Sequence, residues 1–368
     1  MQITAAVVRE KSGPFIIDTI ELCEPRPDEV VVRVIASGMC QTDQHGRDGY
    51  FVSPYPAVYG HEGAGVIHAV GSAVRTLAPG DHVVMSYPWC GACANCSQRR
   101  MNYCLNSRSL KSNGTRADGS TLLSKNGAPV YSAYFQQSSF STYAITQERY
   151  AVKVRKDAPL ELLAPLACSG QTGAGAVLNA LKPGAGESLV VFGVGAVGLS
   201  ALVAAKIAGC DPVIAVDIHD HRLALAFELG ATHVINHKAC SDVVAEIRKL
   251  TGGGARYTVE ASAEPKVLRE AIDCLIMAGT CALLGSARRG TDASFEMPFL
   301  QQGRSVRGVV QGDSIPQEFI PRLVDLIVEK KFPIEKMIKF YDLADINQAA
   351  QESSAGMTIK PVLRMPVS

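Results

Sequence analysis

The feature that most constrains the fold is a glycine-rich turn, Gly-Val-Gly-Ala-Val-Gly, that lies between two apolar segments. Its glycines are Gly193, Gly195 and Gly198. Residues 188–192 before it have the composition of a buried strand, and residues 196–208 have helical spacing. Glycines in this context allow a tight turn, close helix packing and close approach of the backbone to a pyrophosphate, which the helix N-terminus stabilises. The sequence therefore predicts a dinucleotide site.

Strand and helix patterns continue to alternate beyond this turn. Residues 213–216 read as a strand and residues 221–229 as a helix, and Val259 and residues 282–284 lie in further strand candidates. Such alternation implies right-handed crossovers and a parallel sheet. We predict an α/β, doubly wound domain over residues 170–310.

Asp217 follows the second strand of this domain, 19 residues after Gly198. An acidic side chain at this place hydrogen-bonds the ribose hydroxyls of a dinucleotide. Because the carboxylate would repel the additional phosphate of NADP, the sequence predicts NAD as the cofactor.

Residues 1–169 read as short β-rich runs separated by Gly and Pro, for example at 30–35 and 65–70. We predict a small β-rich barrel that is completed by residues 311–368. Polar residues 106–127 are predicted to form a long surface loop.

Four cysteines lie within fifteen residues, and they are Cys90, Cys93, Cys96 and Cys104. Four thiolates in tetrahedral reach close a structural zinc site with no open position. The alternatives are a DNA-binding zinc ribbon and a redox disulfide pair. The near-neutral charge of the chain argues against the first, and the lack of a second matching cysteine pair argues against both.

Charge and composition exclude several classes of partner. The formal net charge is +1 and the pI is about 7.5, whereas a nucleic-acid binder is expected to have a basic stripe or a pI above about 9. The first thirteen residues lack an export signal, and no apolar stretch reaches the roughly 20 residues that span a bilayer. Eleven cysteines, an odd number, argue against a disulfide framework. We expect a cytoplasmic protein without nucleic-acid or membrane partners.

Three further motifs contain Cys40, His61 and Cys168, in the sequences GMCQTD, GHEGAG and PLACSG. Together with the four cysteines and the glycine turn, in this order, they resemble the zinc-containing medium-chain alcohol dehydrogenase family over essentially the whole chain. The resemblance implies an NAD-dependent enzyme with two zinc ions per subunit, a GroES-like catalytic domain and a Rossmann domain. Residues 137–143 and 171–176 are similar to the bacterial aryl-alcohol (benzyl alcohol) and geraniol dehydrogenase branch.

The resemblance also implies roles for single residues. Cys40, His61 and Cys168 would bind a catalytic zinc and leave its fourth position open for water or substrate. Glu62 would lie behind the zinc as an occasional ligand, or else be a surface carboxylate. Asp43 would accept a hydrogen bond from His61 and fix its tautomer.

A proton route and a cofactor site follow from the same matching. Thr42 would pass the substrate proton through the cofactor ribose to His45, for which the alternative is a solvated loop histidine. The further cofactor assignments are Val197 and Thr172 in the nicotinamide pocket, Arg222 along the adenosine and Lys360 at the pyrophosphate. The alternative for the two cations is a solvated charge. Gln41 replaces the Arg or His that many family members place on the pyrophosphate, which predicts looser NAD binding.

The expected partner is a small aromatic or allylic primary alcohol, or its aldehyde, and the expected assembly is a homodimer or homotetramer. Candidate pocket aromatics are Tyr50, Phe51, Trp89 and Tyr134. Cys168 argues against polyol dehydrogenases, which usually have Glu at this position. The alternatives left open are a short-chain alcohol dehydrogenase, a glutathione-dependent formaldehyde dehydrogenase and a non-catalytic zinc-binding protein.

Overall fold

The computed structural model describes residues 1–50 and 54–366. The strands are β1 (Gln2–Val8), β2 (Phe15–Leu22), β3 (Glu29–Gly38), β4 (Ala57–Val58), β5 (Glu62–Val70), β6 (His82–Met85), β7 (Leu123–Lys125), β8 (Ala128–Val130), β9 (Tyr143–Gln147), β10 (Ala151–Val154), β11 (Leu189–Phe192), β12 (Val213–Asp217), β13 (His233–Asn236), β14 (Ala255–Glu260), β15 (Leu275–Leu283), β16 (Ser305–Gly308), β17 (Ile338–Asp342) and β18 (Lys360–Arg364). The helices are α1 (Gln41–Arg47), α2 (Ala94–Ser97), α3 (Ser107–Ser112), α4 (Leu160–Leu163), α5 (Ser169–Gly175), α6 (Ala196–Ile207), α7 (Asp220–Glu228), α8 (Val243–Leu250), α9 (Pro265–Asp273), α10 (Met297–Gln301), α11 (Pro316–Val328) and α12 (Ile346–Ser354).

The chain divides into two units. Unit 1 comprises Met1–Cys168, Ile315–Glu329 and Met337–Ser368, and unit 2 comprises Ser169–Ser314 and Lys330–Lys336. The expected boundary at residue 311 falls a few residues early, because Ser314 still belongs to unit 2. Its hydroxyl donates to Oε1 of Gln171 in α5 at 2.9 Å, which attaches this segment to unit 2.

Unit 2 is built on a six-stranded sheet with the order β13-β12-β11-β14-β15-β16, and every neighbouring pair is parallel. β11 is buried throughout, as expected for a strand of a sheet that is covered on both faces. The strand order reverses at β11, the first strand of unit 2 in the sequence, so the switch point lies where the glycine turn begins. The predicted α/β, doubly wound fold class is confirmed.

Unit 1 contains two β-sheets. One has the order β4-β1-β2-β7-β8, and the other has the order β10-β6-β5-β3-β18-β17 with β9 also paired to β3. β18 pairs antiparallel with β3, so that Val362 lies opposite Gly38. This pairing brings the end of the chain to the strand that leads into α1. Within the described residues, none of the helices combines the length and apolar character needed to cross a bilayer.

The prediction of a long surface loop at residues 106–127 is wrong in part. The structure forms α3 and the whole of β7 there, residues 113–122 between them lack regular structure, and the Arg116 side chain is buried. Its guanidinium donates from Nε and Nη2 to the two carboxylate oxygens of Glu29, at 2.6 Å each. Such a two-bond pair stabilises a polar segment that composition alone assigns to solvent.

Candidate active site

The first candidate site lies in unit 1 and combines side chains from three segments. Cys40 occupies the N-cap of α1, and His61 and Glu62 lie at the start of β5. Cys168 follows the short 3₁₀ turn Ala164–Ala167. One ligand atom from each of these four residues, which we call the metal set, lies within 4.8 Å of the other three. The structure therefore brings the three predicted ligands of the catalytic zinc together with Glu62.

Asp43 holds the imidazole of His61 in one orientation. Its Oδ1 lies 2.8 Å from Nδ1 of His61 and also accepts the backbone N–H of Gly60 at 3.1 Å. Its Oδ2 accepts the N–H of Cys40 at 2.9 Å. Nε2 of His61 is buried without a hydrogen-bond partner among the described residues. Because a buried polar atom without a partner is costly, this nitrogen is suited to bind a metal ion.

The electrostatics of the metal set favour a bound cation. Burial opposes protonation of His61, but the Asp43 carboxylate raises the pKa of this imidazole to about 10. A hydrogen bond from Cys168 lowers the pKa of the Cys40 thiol well below its usual value. Two cysteine sulfurs and one imidazole nitrogen are a donor set typical of catalytic zinc with one open position. The residues present therefore fit a zinc ion.

Lys360 lies beside the metal set, and its predicted role at the pyrophosphate stays a prediction. Its ammonium donates to both carboxylate oxygens of Glu62, at 2.9 and 3.0 Å, and to the carbonyl oxygen of Met39 at 3.1 Å. Both charged side chains are buried, so Glu62 is not a surface carboxylate. These contacts use all three ammonium donors. The observed carboxylate partner of Lys360, Glu62, is 298 residues away, and no sequence pattern indicates this pairing.

Thr42 and His45, the predicted proton route, both lie in α1. Oγ1 of Thr42 is 3.7 Å from Sγ of Cys40, next to the metal set. His45 is half-buried and stacks on Tyr50, with ring centroids 4.3 Å apart. The route between the two side chains stays a prediction.

Two aromatic rings pack on His61. Phe135 lies 4.5 Å from the imidazole between ring centroids, and Tyr134 meets it edge-on at 6.0 Å. The segment that carries these rings has several non-glycine residues at positive φ, namely Ala133, Phe135, Gln136 and Ser138. Left-handed backbone is costly for such residues and concentrates at functional sites. Phe135 was not predicted, because its placement depends on this backbone conformation and not on a motif.

The other predicted pocket aromatics have different places. Trp89 packs on Tyr87 and Tyr150, with ring centroids 5.7 and 5.0 Å away, so the observed contacts place it in an aromatic cluster. Tyr50 is exposed and stacks on His45. Phe51 lies outside the described residues.

The four-cysteine cluster also lies in unit 1, and all four residues are free thiols. Its sulfur atoms lie within 4.8 Å of one another, for example 3.9 Å between Cys90 and Cys96. The backbone N–H of Cys93 donates to Sγ of Cys90 at 3.4 Å. A backbone hydrogen bond from Ala92 is the largest cause that lowers the pKa of Cys90 to about 6. Backbone donors thus favour the thiolate of Cys90, whereas burial raises the pKa of Cys96 to about 12. Four cysteine sulfurs this close together fit a closed structural zinc site.

The glycine turn in unit 2 joins β11 to α6 and meets the needs of a dinucleotide. Gly193 has a φ of +82°, which other residues rarely adopt. A Cβ at Gly198 would lie 2.0 Å from the carbonyl oxygen of Gly193, so the helix packs too closely for a side chain. A Cβ at Gly195 would meet no described atom within 4 Å. This open approach fits a pyrophosphate at the N-terminus of α6.

Asp217 ends β12 and is attached to the glycine turn. Its Oδ2 accepts the backbone N–H of Val194 at 2.8 Å, and its Oδ1 accepts the backbone N–H groups of Ile218 and His219 at 2.7 and 3.0 Å. Nδ1 of His219 lies 2.9 Å from the same Oδ1. His219 was not predicted. These contacts fix the carboxylate at the carboxyl end of the strand, where ligands of such sheets bind.

The remaining predicted cofactor residues lie close in the fold to these elements. Val197 is in the first turn of α6, and Arg222 is in the first turn of α7. The hydroxyl of Thr172 in α5 donates to Oε1 of Gln311 at 3.4 Å. A Cβ at Gly173 would lie 2.0 Å from the carbonyl oxygen of Val197, which shows how closely α5 and α6 pack. The contacts of these residues with a cofactor stay predictions.

Comparison with protein families gives two matches along the chain. Residues 26–156 match the alcohol dehydrogenase GroES-like domain, and residues 196–329 match the zinc-binding dehydrogenase family. The chain is 43% identical over 361 residues to geraniol dehydrogenase of Castellaniella defragrans, a match that covers 98% of this chain and 96% of that protein.

Two solved structures are similar over the whole chain. Benzyl alcohol dehydrogenase from Acinetobacter calcoaceticus has a TM-score of 0.96 and 44% sequence identity, and the match covers 100% of both chains. An alcohol dehydrogenase zinc-binding domain protein from Burkholderia ambifaria has a TM-score of 0.98 and 51% identity, again with 100% of both chains covered.

Proposed function

Because the chain belongs to the zinc-dependent medium-chain alcohol dehydrogenase family, we propose that it oxidises aromatic or allylic primary alcohols with NAD as the hydride acceptor. The reaction is reversible and yields the aldehyde. Zinc-dependent alcohol dehydrogenase activity is common to the family, and zinc and NAD(H) are its cofactors. The alcohol and the choice of NAD over NADP are the parts that we propose.

The packing of Phe135 on the His61 imidazole carries the proposed substrate class. A planar ring against the metal set gives a flat apolar surface on which an aromatic or allylic group can be buried. The similarity to a geraniol dehydrogenase and to a benzyl alcohol dehydrogenase supports the same class.

The chain's own side chains perform three tasks in this reaction. Cys40, His61 and Cys168 would hold the zinc, whose Lewis acidity lowers the pKa of a bound alcohol. Asp43 accepts from Nδ1–H of His61 and so directs the other ring nitrogen into the metal set. Thr42, beside Cys40, would accept the alcohol proton while its own hydroxyl proton passes toward the cofactor ribose and His45.

Asp217 supports the choice of NAD. Its carboxylate is buried and fixed by backbone donors, so it cannot turn away from an added negative charge without losing those hydrogen bonds. A 2′-phosphate at this place would meet the like charge of the Asp217 carboxylate, which disfavours NADP.

The test is the rate of alcohol oxidation with benzyl alcohol, geraniol and ethanol as substrates and NAD as cofactor. Each buried methylene contributes about 0.8 kcal/mol and each tenfold in rate corresponds to about 1.4 kcal/mol. We therefore expect kcat/KM for benzyl alcohol or geraniol to exceed that for ethanol at least about a hundredfold. Equal values for ethanol and benzyl alcohol would contradict the substrate class. Turnover only in the presence of glutathione and formaldehyde would favour the glutathione-dependent alternative.

The assembly state is also proposed from the family resemblance. We expect a homodimer or homotetramer, and sedimentation equilibrium of the zinc-loaded protein distinguishes these from a monomer.

A further inference from the structure

A lysine lies beside the aromatic wall of the metal set. α3 packs against the turn that carries Tyr134 and Phe135, and Nε2 of Gln136 donates to the carbonyl oxygen of Leu110 at 3.0 Å. This contact places the next residue, Lys111, over the Phe135 ring, with Nζ 5.4 Å from the ring centroid. Phe135 therefore contacts both the Lys111 ammonium and the His61 imidazole.

The Lys111 side chain is half-buried. Among the described residues, its ammonium contacts the Phe135 ring and has no carboxylate partner. Burial lowers the pKa of Lys111, and the sulfur atoms of Cys168 and Cys104 partly oppose this effect.

A ligand that satisfies both ends of this arrangement has a defined chemistry. Its ring would lie against Phe135, and its hydroxymethyl group would face the metal set. A negatively charged group on the opposite side of the ring would accept charge-assisted hydrogen bonds from the Lys111 ammonium. Unsubstituted benzyl alcohol satisfies only the first two of these contacts.

We propose, on the basis of the function proposed above, that Lys111 is a specificity-determining residue that binds a carboxylate carried on the ring of an aromatic alcohol substrate. The enzyme accordingly accepts hydroxymethyl benzoates in addition to neutral aryl alcohols. The segment with Ala133, Phe135 and Gln136 at positive φ keeps the Phe135 ring in contact with both Lys111 and His61.

The test compares 4-(hydroxymethyl)benzoate and its 3-isomer with benzyl alcohol in the zinc-loaded enzyme. Lys111→Met keeps the aliphatic stem and removes the charge. Lys111→Arg keeps the charge, and Arg108→Met removes an exposed cation from the same helix as a matched control. The measured quantity is the ratio of kcat/KM for the carboxylated alcohol to kcat/KM for benzyl alcohol.

We expect Lys111→Met to lower this ratio at least about tenfold, mainly through KM, because the contact is equally strong in the ground and transition states. Lys111→Arg should restore most of the ratio, and Arg108→Met should leave it within about twofold of wild type. An unchanged ratio in Lys111→Met would overturn the proposal. An equal fall of the ratio in Lys111→Met and Arg108→Met would overturn it as well.

Three further outcomes separate this proposal from its alternatives. If Lys111→Met releases zinc from the four-cysteine cluster while the ratio stays unchanged, Lys111 is a counterion of that cluster and the proposal is wrong. If the wild-type enzyme oxidises neither benzyl alcohol nor geraniol, the proposed function itself fails. If the enzyme oxidises benzyl alcohol normally but the carboxylated alcohols are neither substrates nor competitive inhibitors, the proposed role of Lys111 fails and the proposed function stands.

Discussion

Single side chains around the metal set form hydrogen bonds both to neighbours in the sequence and to residues of other segments. Asp43 is the clearest example, because its carboxylate accepts from His61, Gly60 and Cys40 within one small region. The identity of Asp43 and its partner could be predicted from the family motif. The pairing of Lys360 with Glu62 could not, because charge alone does not distinguish a solvated lysine from one buried against a carboxylate.

Asp43→Asn tests the orientation of His61. Asparagine keeps the size of the side chain but removes the charge that fixes the imidazole tautomer, and losses of this kind typically cost about 10- to 100-fold in metal affinity or activity. We expect kcat/KM to fall by about this factor and zinc to leave the enzyme at lower chelator concentration. Asp48→Asn, at the end of the same helix and paired with Arg47 at 3.1 Å, is the control. Equal loss in both variants would mean that the effect arises from the helix and not from His61.

Asp217→Gly tests cofactor choice at the residue scale. Loss of the carboxylate removes the repulsion of a 2′-phosphate, so the ratio of kcat/KM with NAD to kcat/KM with NADP should fall about tenfold, or about 1.4 kcal/mol. Because Asp217 also accepts from Val194 in the glycine turn, some loss of stability is expected as well. The ratio is therefore the informative quantity, and Asp220→Gly, an exposed acidic residue nearby, should leave it unchanged. Faster turnover of wild type with NADP than with NAD would contradict the assignment.

At the scale of elements, the sequence predicts unit 2 better than unit 1. Residues 196–208 were predicted to be a helix and α6 spans Ala196–Ile207, because buried parallel strands and their helices give long, regular apolar patterns. Residues 106–127 were predicted to be a loop because they are polar. Their order depends instead on the pair between Arg116 and Glu29, which are 87 residues apart. Tertiary contacts of this kind leave no local pattern.

Lys182→Gly tests how much left-handed backbone costs an element. Lys182 follows the helical turn Ala176–Leu181 with a φ of +51°, and its side chain is exposed, so the substitution removes no buried surface. Left-handed conformation costs a non-glycine residue about 1–2 kcal/mol, so glycine relieves this strain in the folded state. The greater flexibility of glycine in the unfolded chain reduces the gain in stability by about 0.4–1 kcal/mol. We expect the free energy of unfolding to rise by about 0.5–1 kcal/mol in urea denaturation. Lys156→Gly, an exposed turn residue at negative φ, should lower it instead.

At the scale of the whole molecule, the predicted family, the resemblance to its aryl-alcohol and geraniol branch and the fold class are confirmed. These predictions succeeded because the motifs that carry them occur in a fixed order along the chain. Of the two rings on His61, Tyr134 was among the predicted pocket aromatics and Phe135 was not. Both lie in a segment that packs against α3 and the metal set, and such packing leaves no motif in the sequence.

The four-cysteine cluster and the metal set are expected to bind zinc for different purposes, which leads to a prediction for the whole molecule. A closed cluster of four thiolates binds metal that stabilises the fold, whereas an open set of three ligands binds metal for chemistry. We expect two zinc ions per chain by elemental analysis in the wild type and one in each of Cys93→Ser and Cys40→Ser. Cys93→Ser should lower the melting temperature markedly, and Cys40→Ser should abolish turnover with only modest loss of stability. Cys210→Ser, a buried cysteine in unit 2 outside both clusters, is the control and should keep both zinc ions. The opposite pattern would mean that the structural and catalytic roles of the two clusters are exchanged, and one zinc ion in the wild type would favour a non-catalytic zinc protein.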